Sequence, residues 1–508
     1  MAISNSPHKA GRSGGFDVCC GQEDHTKTAT PITPSLELTD AGNAERFVAL
    51  HDVDVRYVPK WGWLCWTGTH WRRDNLKPRE LMMQTARQIH TEAAEESDIK
   101  RQRDITAHAR KSQQAPQIRA ALWLAQPYIV AQTEEFDRKP WLLPVVNGTL
   151  DLRTAKLHPH LREHKLTRFS PVCYDAAAVA PRWMAFLHRV LPDAEVRAFV
   201  QRFAGYALTG LTSEQCLAFL YGSGRNGKSV FVEMLAALLG NYHTATRIDT
   251  LSLTRSGGIP NDVAALAGAR LVTASETPEG MRLNESLVKD LTGGDTISAR
   301  FMRSEYFQFQ PQFKLIIRGN HKPHIRGTDD GIWRRLILIP FTVQIPANEV
   351  DASLPKQLQD ELPGILRWAT QGCLEWQRIG LQPPRILQDA MAEYRSEMDL
   401  IGVFIDNRCF LASETYTQAS ALYTAYRDWC GVSGHHPVSQ TLFGTTLSER
   451  GFVRRKIGTI RWLGIGIRDT RDTLDPSAGS TDSRAYDLGN VEKGSKVSLA
   501  STSRSCKV

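Results

Sequence analysis

The chain lacks the features that would mark a secreted, disulfide-built or membrane-spanning protein. Its nine cysteines are odd in number and scattered, and no two stand as C-x-x-C. That excludes a zinc ribbon and a disulfide framework, and it fits a reducing cytoplasm as the location. Cys19 and Cys20 lie in a polar tail and read as free thiols. No apolar run is long enough to cross a bilayer, and the N-terminus has no signal-peptide core, so no membrane partner is expected. Strong charge imbalance is also missing. There are 62 Lys and Arg against 54 Asp and Glu, a net +8 over 508 residues, which is compatible with nucleic acid without requiring it. Periodicity fails at both ends. Residues 1–40, rich in Ser, Gly, Thr, Pro and His, and residues 469–508, rich in Ser, Thr, Asp and Gly, are expected to be a disordered leader and tail.

What is present centres on residues 217–239. The apolar run Leu217-Ala218-Phe219-Leu220-Tyr221 meets Gly222-Ser223-Gly224-Arg225-Asn226-Gly227-Lys228-Ser229, and a helical run follows to Leu239 and Gly240. Strand, turn and helix together fit G-x-x-x-x-G-K-[ST] in full. Glycines let backbone N–H groups converge on phosphate oxygens, and the helix N-terminus adds partial positive charge. Lys228 can reach the outer phosphates and the Ser229 hydroxyl can ligate Mg²⁺. The expected ligands are therefore ATP and Mg²⁺.

Three further segments extend the site. Ala269 to Ala274 reads as a second buried strand ending in Ser275-Glu276. Glu276 stands where an NTPase places the acid that polarises water or holds the metal through its water shell. Ser275 occupies the place of the usual first acid, which leaves the division of labour at Glu276 open, with Glu279 a second candidate. Phe313 to Gly319 delivers Asn320, an amide suited to orient water against the γ-phosphate. Arg334 and Arg335, between a short helix and the strand Leu336 to Phe341, suit an arginine finger; the alternative is surface pairing with Asp329 and Asp330.

Around this core, residues 41–191 read as an α+β N-terminal domain. Its Trp61–Trp71 stretch carries four tryptophans in two short strands, read as a hairpin core rather than a base-stacking platform. Residues 192–345 form the NTPase core, with a loop expected from Thr244 to Asp262, and residues 346–399 a helical connector. Lys289 to Arg303 reads as a helix end, a Gly293-Gly294 turn and a hairpin, whose Lys289, Arg300 and Arg303 could meet a phosphate backbone. His321, Lys322, His324 and Arg326 make a basic loop, for phosphate contact or plain solvation. In residues 400–468, two helices precede strands around Gly458-Thr459, the order of a winged helix. Arg454, Arg455, Lys456 and Arg461 group around its wing as candidate DNA contacts, with a protein-binding role as the alternative.

In order, Gly222 to Ser229, Ala274-Ser275-Glu276, Lys289 to Asp295, Asn320-His321-Lys322-Pro323 and Gly331-Ile332-Trp333-Arg334-Arg335-Leu336 resemble the motifs of superfamily 3 helicases. The series is most similar to the phage and plasmid primase–helicase family, whose poxvirus relatives share this core. The resemblance runs from about residue 40 to about residue 468. It implies an AAA+-like α/β core, Lys228 and Ser229 as the Walker A pair, Glu276 as the Walker B acid and Asn320 as the sensor. It further implies Lys289 to Arg303 as a DNA-engaging hairpin, Arg334 or Arg335 as a trans-acting finger, and a C-terminal winged helix. Members form hexameric rings that move on single-stranded DNA, generally 3′ to 5′. Many also carry a primase–polymerase domain ahead of this region. Forty polar residues cannot fold into one, so a separate primase or replication initiator is the expected partner, with single-stranded and forked DNA the substrates. Two other readings stand beside the helicase: an initiator or loader that remodels an origin without processive unwinding, and an idle DNA-binding protein that uses the winged helix.

Overall fold

A computed structural model describes residues 37–253, 261–275, 277–301, 305–325 and 330–468. Glu276, Arg303, Arg326 and Asp329, most of the leader and the whole tail lie outside the described residues. Contacts divide the chain into two units, Met1–Met398 and Asp399–Val508.

The first unit begins with α1 (Asp40–His51), β1 (Val55–Val58), β2 (Gly62–Trp66), β3 (Trp71–Arg73), α2 (Lys77–Glu95), α3 (Ile99–Ser112) and α4 (Ala115–Ala125). Thr39 caps α1, its hydroxyl accepting the Gly42 N–H at 3.0 Å, as the N-terminus of a helix requires. Strands β1, β2 and β3 form one antiparallel sheet. Trp63 and Trp71 are buried in it, while Trp61 and Trp66 pack partly buried against the core that holds Trp71. The tryptophans are hairpin core. A second antiparallel sheet follows, of β4 (Leu142–Val145), β5 (Gly148–Asp151) and β6 (Lys156–His158).

The centre of this unit carries α5 (Pro181–Val190), α6 (Ala194–Leu208), β7 (Leu217–Tyr221), α7 (Lys228–Leu239), β8 (His243–Thr246), α8 (Ile248–Leu251), α9 (Asn261–Ala264) and β9 (Leu271–Ser275). Then come α10 (Glu285–Gly293), β10 (Ile297–Ala299), β11 (Phe307–Phe309), β12 (Lys314–Gly319), α11 (Asp330–Trp333) and β13 (Leu336–Pro340). Five strands make one parallel sheet in the order β13-β7-β12-β9-β8. The strands β7, β12 and β13 are covered on both faces, which is why they read as largely apolar runs, β12 with Lys314 and Arg318 flanking its apolar centre. Leu220, Ile316 and Ile339 pack with Phe231 and Leu235 of α7. Leu217, Ile317 and Leu338 pack on the opposite side with Val288 and Leu291 of α10.

The sequence expectation of a loop from Thr244 is corrected in part, because β8 and α8 occupy its first half. The His243-Thr244-Ala245-Thr246 segment is polar because β8 is an edge strand, held by its backbone ladder to β9, so no apolar run announces it.

Three helices close the unit: α12 (Leu354–Asp360), α13 (Leu362–Ile379) and α14 (Arg385–Met398). Helix α13 lies against α6 at two glycines. A Cβ on Gly205 would stand 2.0 Å from the Cys373 nitrogen, and one on Gly372 would stand 2.0 Å from the Gln201 oxygen. Two buried cations tie the sheet to its surroundings. Arg270 donates to the Leu208 and Leu142 carbonyls at 2.6 and 2.8 Å. Lys314 donates to the Thr209 and Leu211 carbonyls, and burial holds its ammonium well below the usual lysine range.

The second unit contains α15 (Leu400–Arg408), β14 (Cys409–Gln418), α16 (Ala419–Val432), α17 (Gln440–Glu449), β15 (Val453–Ile457) and β16 (Thr459–Ile467). Phe404, Leu422, Tyr426, Phe443, Leu447, Trp462 and Ile465 form its core. Helix, helix and hairpin stand in the expected order. An additional strand, β14, pairs with β16, so the sheet runs β14-β16-β15. Its residues are mostly exposed and its register shifts between Leu411 and Tyr416, which hides it from a periodicity test. Among the described residues, no helix is long and apolar enough to cross a membrane.

Candidate functional site

The carboxyl ends of β7, β12 and β9 meet on one edge of the parallel sheet, the usual position of a ligand crevice in such sheets. From β7 the chain turns through Gly222 to Gly227 into α7. Two glycines are sterically required. A Cβ on Gly222 would lie 2.2 Å from the Phe341 carbonyl oxygen, and Gly227 has φ +84° with Val190 Cγ1 only 2.7 Å from a Cβ position. The turn is braced from within and from behind. Asn226 Nδ2 donates to the Ser223 carbonyl and, at 3.1 Å, to the Phe341 carbonyl. The Ile345 N–H donates to the Arg225 carbonyl at 2.8 Å. No side chain caps α7, so its first N–H groups are left for another acceptor. Ser223, Gly224, Arg225 and Ser229 are exposed on the open side of the turn.

Lys228 is buried, with 7% exposure. Its ammonium donates to the Gly222 carbonyl at 2.5 Å, to Asn226 Oδ1 at 3.1 Å and to Asn320 Oδ1 at 3.3 Å. Burial, and then the nearby Arg318 guanidinium, push its pKa below the ordinary lysine value. The structure thus brings Lys228 and Asn320, 92 positions apart, into contact. Glu276 lies outside the described residues, but its neighbours reach the same edge: Ser275 is in register with Arg318. Thr277 Oγ1 donates to the His321 carbonyl at 2.7 Å. Gly319 admits that hydroxyl, because a Cβ there would stand 1.9 Å from it.

The cradle of glycine backbone, uncapped helix and buried ammonium fits a triphosphate, and the exposed Ser229 hydroxyl is free to join a metal's ligand shell. Among the described residues, no group of three His, Cys, Asp or Glu could hold a metal ion alone.

The two finger candidates differ. Arg334 is exposed and reaches Gln215 Oε1 at 3.4 Å, while Gln215 Nε2 donates to the Gly293 carbonyl at 3.4 Å. Arg335 is buried, 9% exposed, and donates to the Gly331 carbonyl at 2.7 Å. Arg395 holds Asp330 at 2.7 Å.

At the hairpin, Lys289 is half-buried on α10, and the Arg300 guanidinium lies 4.9 Å from the Tyr306 ring centre. Phe301 and Tyr306 are exposed beside it. These aromatics were missed in the sequence, although the run from Phe301 to Phe309 holds four of them. Lys322 is engaged elsewhere, paired with Glu397 at 2.8 Å and lying over the Tyr221 and Tyr394 rings.

In the second unit the sheet sorts the four wing cations. Arg454 stands opposite the buried Trp462, whereas Arg455 stands opposite Arg461 on the other face. Arg461 lies 4.4 Å from the centre of the exposed Tyr416 ring. Like charges directly opposed across strands repel, so an anion laid on this outward face would be favoured there. Lys456 stands opposite Ile460 and is exposed near the turn.

Such a chain is a mixed α/β protein built on a parallel central sheet, and comparison with known proteins narrows the class. Residues 44–192 match the family described as D5 N terminal like, and residues 220–335 match a family described as one of unknown function. The Acanthamoeba polyphaga mimivirus protein named "Putative helicase L207/L206" is 31% identical over 265 residues, covering 48% of this chain and 28% of that protein. "Putative helicase 022R" of Frog virus 3 is 27% identical over 276 residues, covering 50% and 28%. "Putative primase C962R" of African swine fever virus (isolate Tick/Malawi/Lil 20-1/1983) is 28% identical over 229 residues, covering 43% and 24%. The matched stretches span about a quarter of the length of these relatives. Among solved structures, the apo C-terminal region of NrS-1 aligns at 12% identity with a TM-score of 0.36, covering 58% of this chain and 76% of that one; so loose a fit defines no topology. Over the matched stretches the chain is thus similar to viral proteins named as helicases and primases, and its residues 44–192 to the D5 N-terminal-like family.

Proposed function

We propose that this chain is an ATP-dependent DNA helicase with a superfamily 3 core, acting in the replication of a mobile element. The contact between the Lys228 ammonium and Asn320 Oδ1 carries this reading. It joins the residue that would hold the outer phosphates to the residue that would orient the attacking water. The helicase and primase names of the viral relatives support the same assignment.

In this reading the Gly222–Gly227 backbone and the start of α7 bind the phosphates, and Lys228 exchanges its internal acceptors for phosphate oxygens. Mg²⁺, held through Ser229 and the water shell at Glu276, would neutralise charge between the outer phosphates. Glu276 polarises the water that Asn320 orients. Arg334, the exposed member of its pair, is the finger offered to a neighbouring copy in a ring, expected to be a homo-hexamer. Lys289, Arg300 and the hairpin that includes Arg303 engage single-stranded DNA, with Phe301 and Tyr306 as stacking surfaces. The second unit acts as a winged helix that binds DNA through its cationic sheet. A separate primase or initiator would supply primers.

Unwinding of a forked duplex tests the proposal. Strand separation should require ATP and Mg²⁺. DNA-stimulated hydrolysis without strand separation would make the chain an initiator or loader. DNA binding without hydrolysis would leave only a binding protein.

A further inference from the structure

Strand β12 carries the buried Lys314 at its start and a second cation, Arg318, just before its end. Arg318 stands two positions after Ile316 in β12, so both project toward the same face of the sheet, and Asn320 follows just past the strand's end. That face is the α7 side, since Ile316 packs with Phe231 and Leu235 while Ile317 packs on the other face. In register, Arg318 lies across from Leu220 of β7 and Ser275 of β9. It therefore sits between the strand that delivers the phosphate loop and the strand that leads to Glu276.

The Arg318 guanidinium is poorly matched where it lies. Among the described residues its nearest carboxylate is Glu233 on α7, with Nη1 and Oε1 3.9 Å apart, too far for a hydrogen bond. Nη1 is buried and has no hydrogen-bond partner among the described residues. Glu233 is itself 54% exposed, so the pairing is screened and weak. On the other side, the positive charge of Arg318 acts on Lys228 and adds to burial in lowering the lysine's pKa. Two cations thus face one half-buried space, and among the described residues only Glu233, 3.9 Å away, stands within ion-pair range of Arg318. An uncovered pair of this kind is unfavourable until an anion arrives.

We propose that Arg318 is a second cation of the phosphate site, binding the terminal phosphate of a nucleoside triphosphate in its own chain, with Glu233 holding it aside while the site is empty. A guanidinium suits this task because its planar fork matches phosphate oxygens, and its charge-assisted hydrogen bonds are the strong ones. The phosphate carries more charge than the Glu233 carboxylate and lies on the Lys228 side. Binding would replace a long ionic contact with direct hydrogen bonds and relieve the repulsion between the two cations. The inference rests on the nucleotide-site reading above and adds discrimination between triphosphate and diphosphate.

Equilibrium binding of ATP and ADP to the full chain, with Mg²⁺, tests it. Arg318→Ala should weaken ATP binding about tenfold, equivalent to one strong hydrogen bond, and ADP binding less than about threefold. Arg318→Lys should restore part of the loss. Glu233→Ala should bind ATP as tightly as the parent or about twofold tighter, since it frees the guanidinium. Loss at Arg318 without loss at Glu233 separates this role from a structural tie, in which both alanine variants would lose affinity and melting temperature together. Parental ATP affinity in Arg318→Ala, or equal loss of ATP and ADP, would overturn the inference and leave the nucleotide site standing. A parent chain that binds neither nucleotide would overturn both.

Discussion

The molecule holds two collections of cations that are organised in opposite ways. At the end of the parallel sheet, Lys228 is buried and spends its ammonium on three internal oxygens. On the sheet of the second unit, Arg454, Arg455 and Lys456 are exposed, and Arg455 faces Arg461 across the strands. A buried, pre-positioned cation serves a single ligand in a fixed place. An exposed row serves a polymer, because each charge adds its own counterion release and none needs an exact position. The first arrangement predicts loss of function from one substitution, and the second predicts graded loss.

The largest effect expected is therefore at Lys228. Lys228→Ala should abolish ATP turnover while thermal unfolding shows a folded chain, because its ammonium bonds two asparagine side chains and a carbonyl rather than a core. Parental turnover in that variant would remove the contrast between the two regions. Next comes the arginine pair. Arg334→Ala should reduce turnover about 10³-fold or more with little change in melting temperature, as for a finger that meets charge developing in the transition state. Arg335→Ala should instead lower the melting temperature, since that side chain is buried. Mixing Lys228→Ala with Arg334→Ala should restore part of the activity when the variants co-assemble, because mixed interfaces pair an intact loop with an intact finger. No recovery in co-assembled samples, verified by pull-down, would count against action between subunits.

On the sheet of the second unit, replacing Arg455 and Arg461 with Ala should flatten the salt dependence of DNA binding by about two in log–log slope, roughly one for each lost phosphate contact. Replacing Arg454 and Lys456 should flatten it less, because Arg454 shares the face of Trp462. Equal slopes for the two pairs would dissolve the distinction between the faces. The smallest effect belongs to Tyr416→Ala, which removes the ring beside Arg461 and should weaken DNA binding by about 0.5–1 kcal/mol, measured by titration at fixed salt.

The legibility of these features in the sequence follows their physics. The phosphate loop could be read because steric demands dictate its residues: Gly222 and Gly227 sit where a Cβ would meet the Phe341 carbonyl and Val190. Strands β7, β12 and β13 could be read because burial on both faces writes long apolar runs. Edge strands β8 and β14 could not, since partial exposure leaves their composition polar. Adjacent Arg334 and Arg335 look alike in a sequence, and only the turn from α11 into β13 buries one and exposes the other. Likewise the wing was visible as a basic hairpin, but its faces depend on the register that sets Arg455 against Arg461. Arg318 did leave a signal in the sequence: β12 carries two cations, and only Lys314 is accounted for by buried carbonyl partners.

The most direct measurement is the rate of ATP hydrolysis by the full chain with and without single-stranded DNA, beside Lys228→Ala under the same conditions. The account predicts that DNA raises the parental rate and that the variant stays at background in both. Equal rates in parent and variant, or hydrolysis in neither, would contradict it.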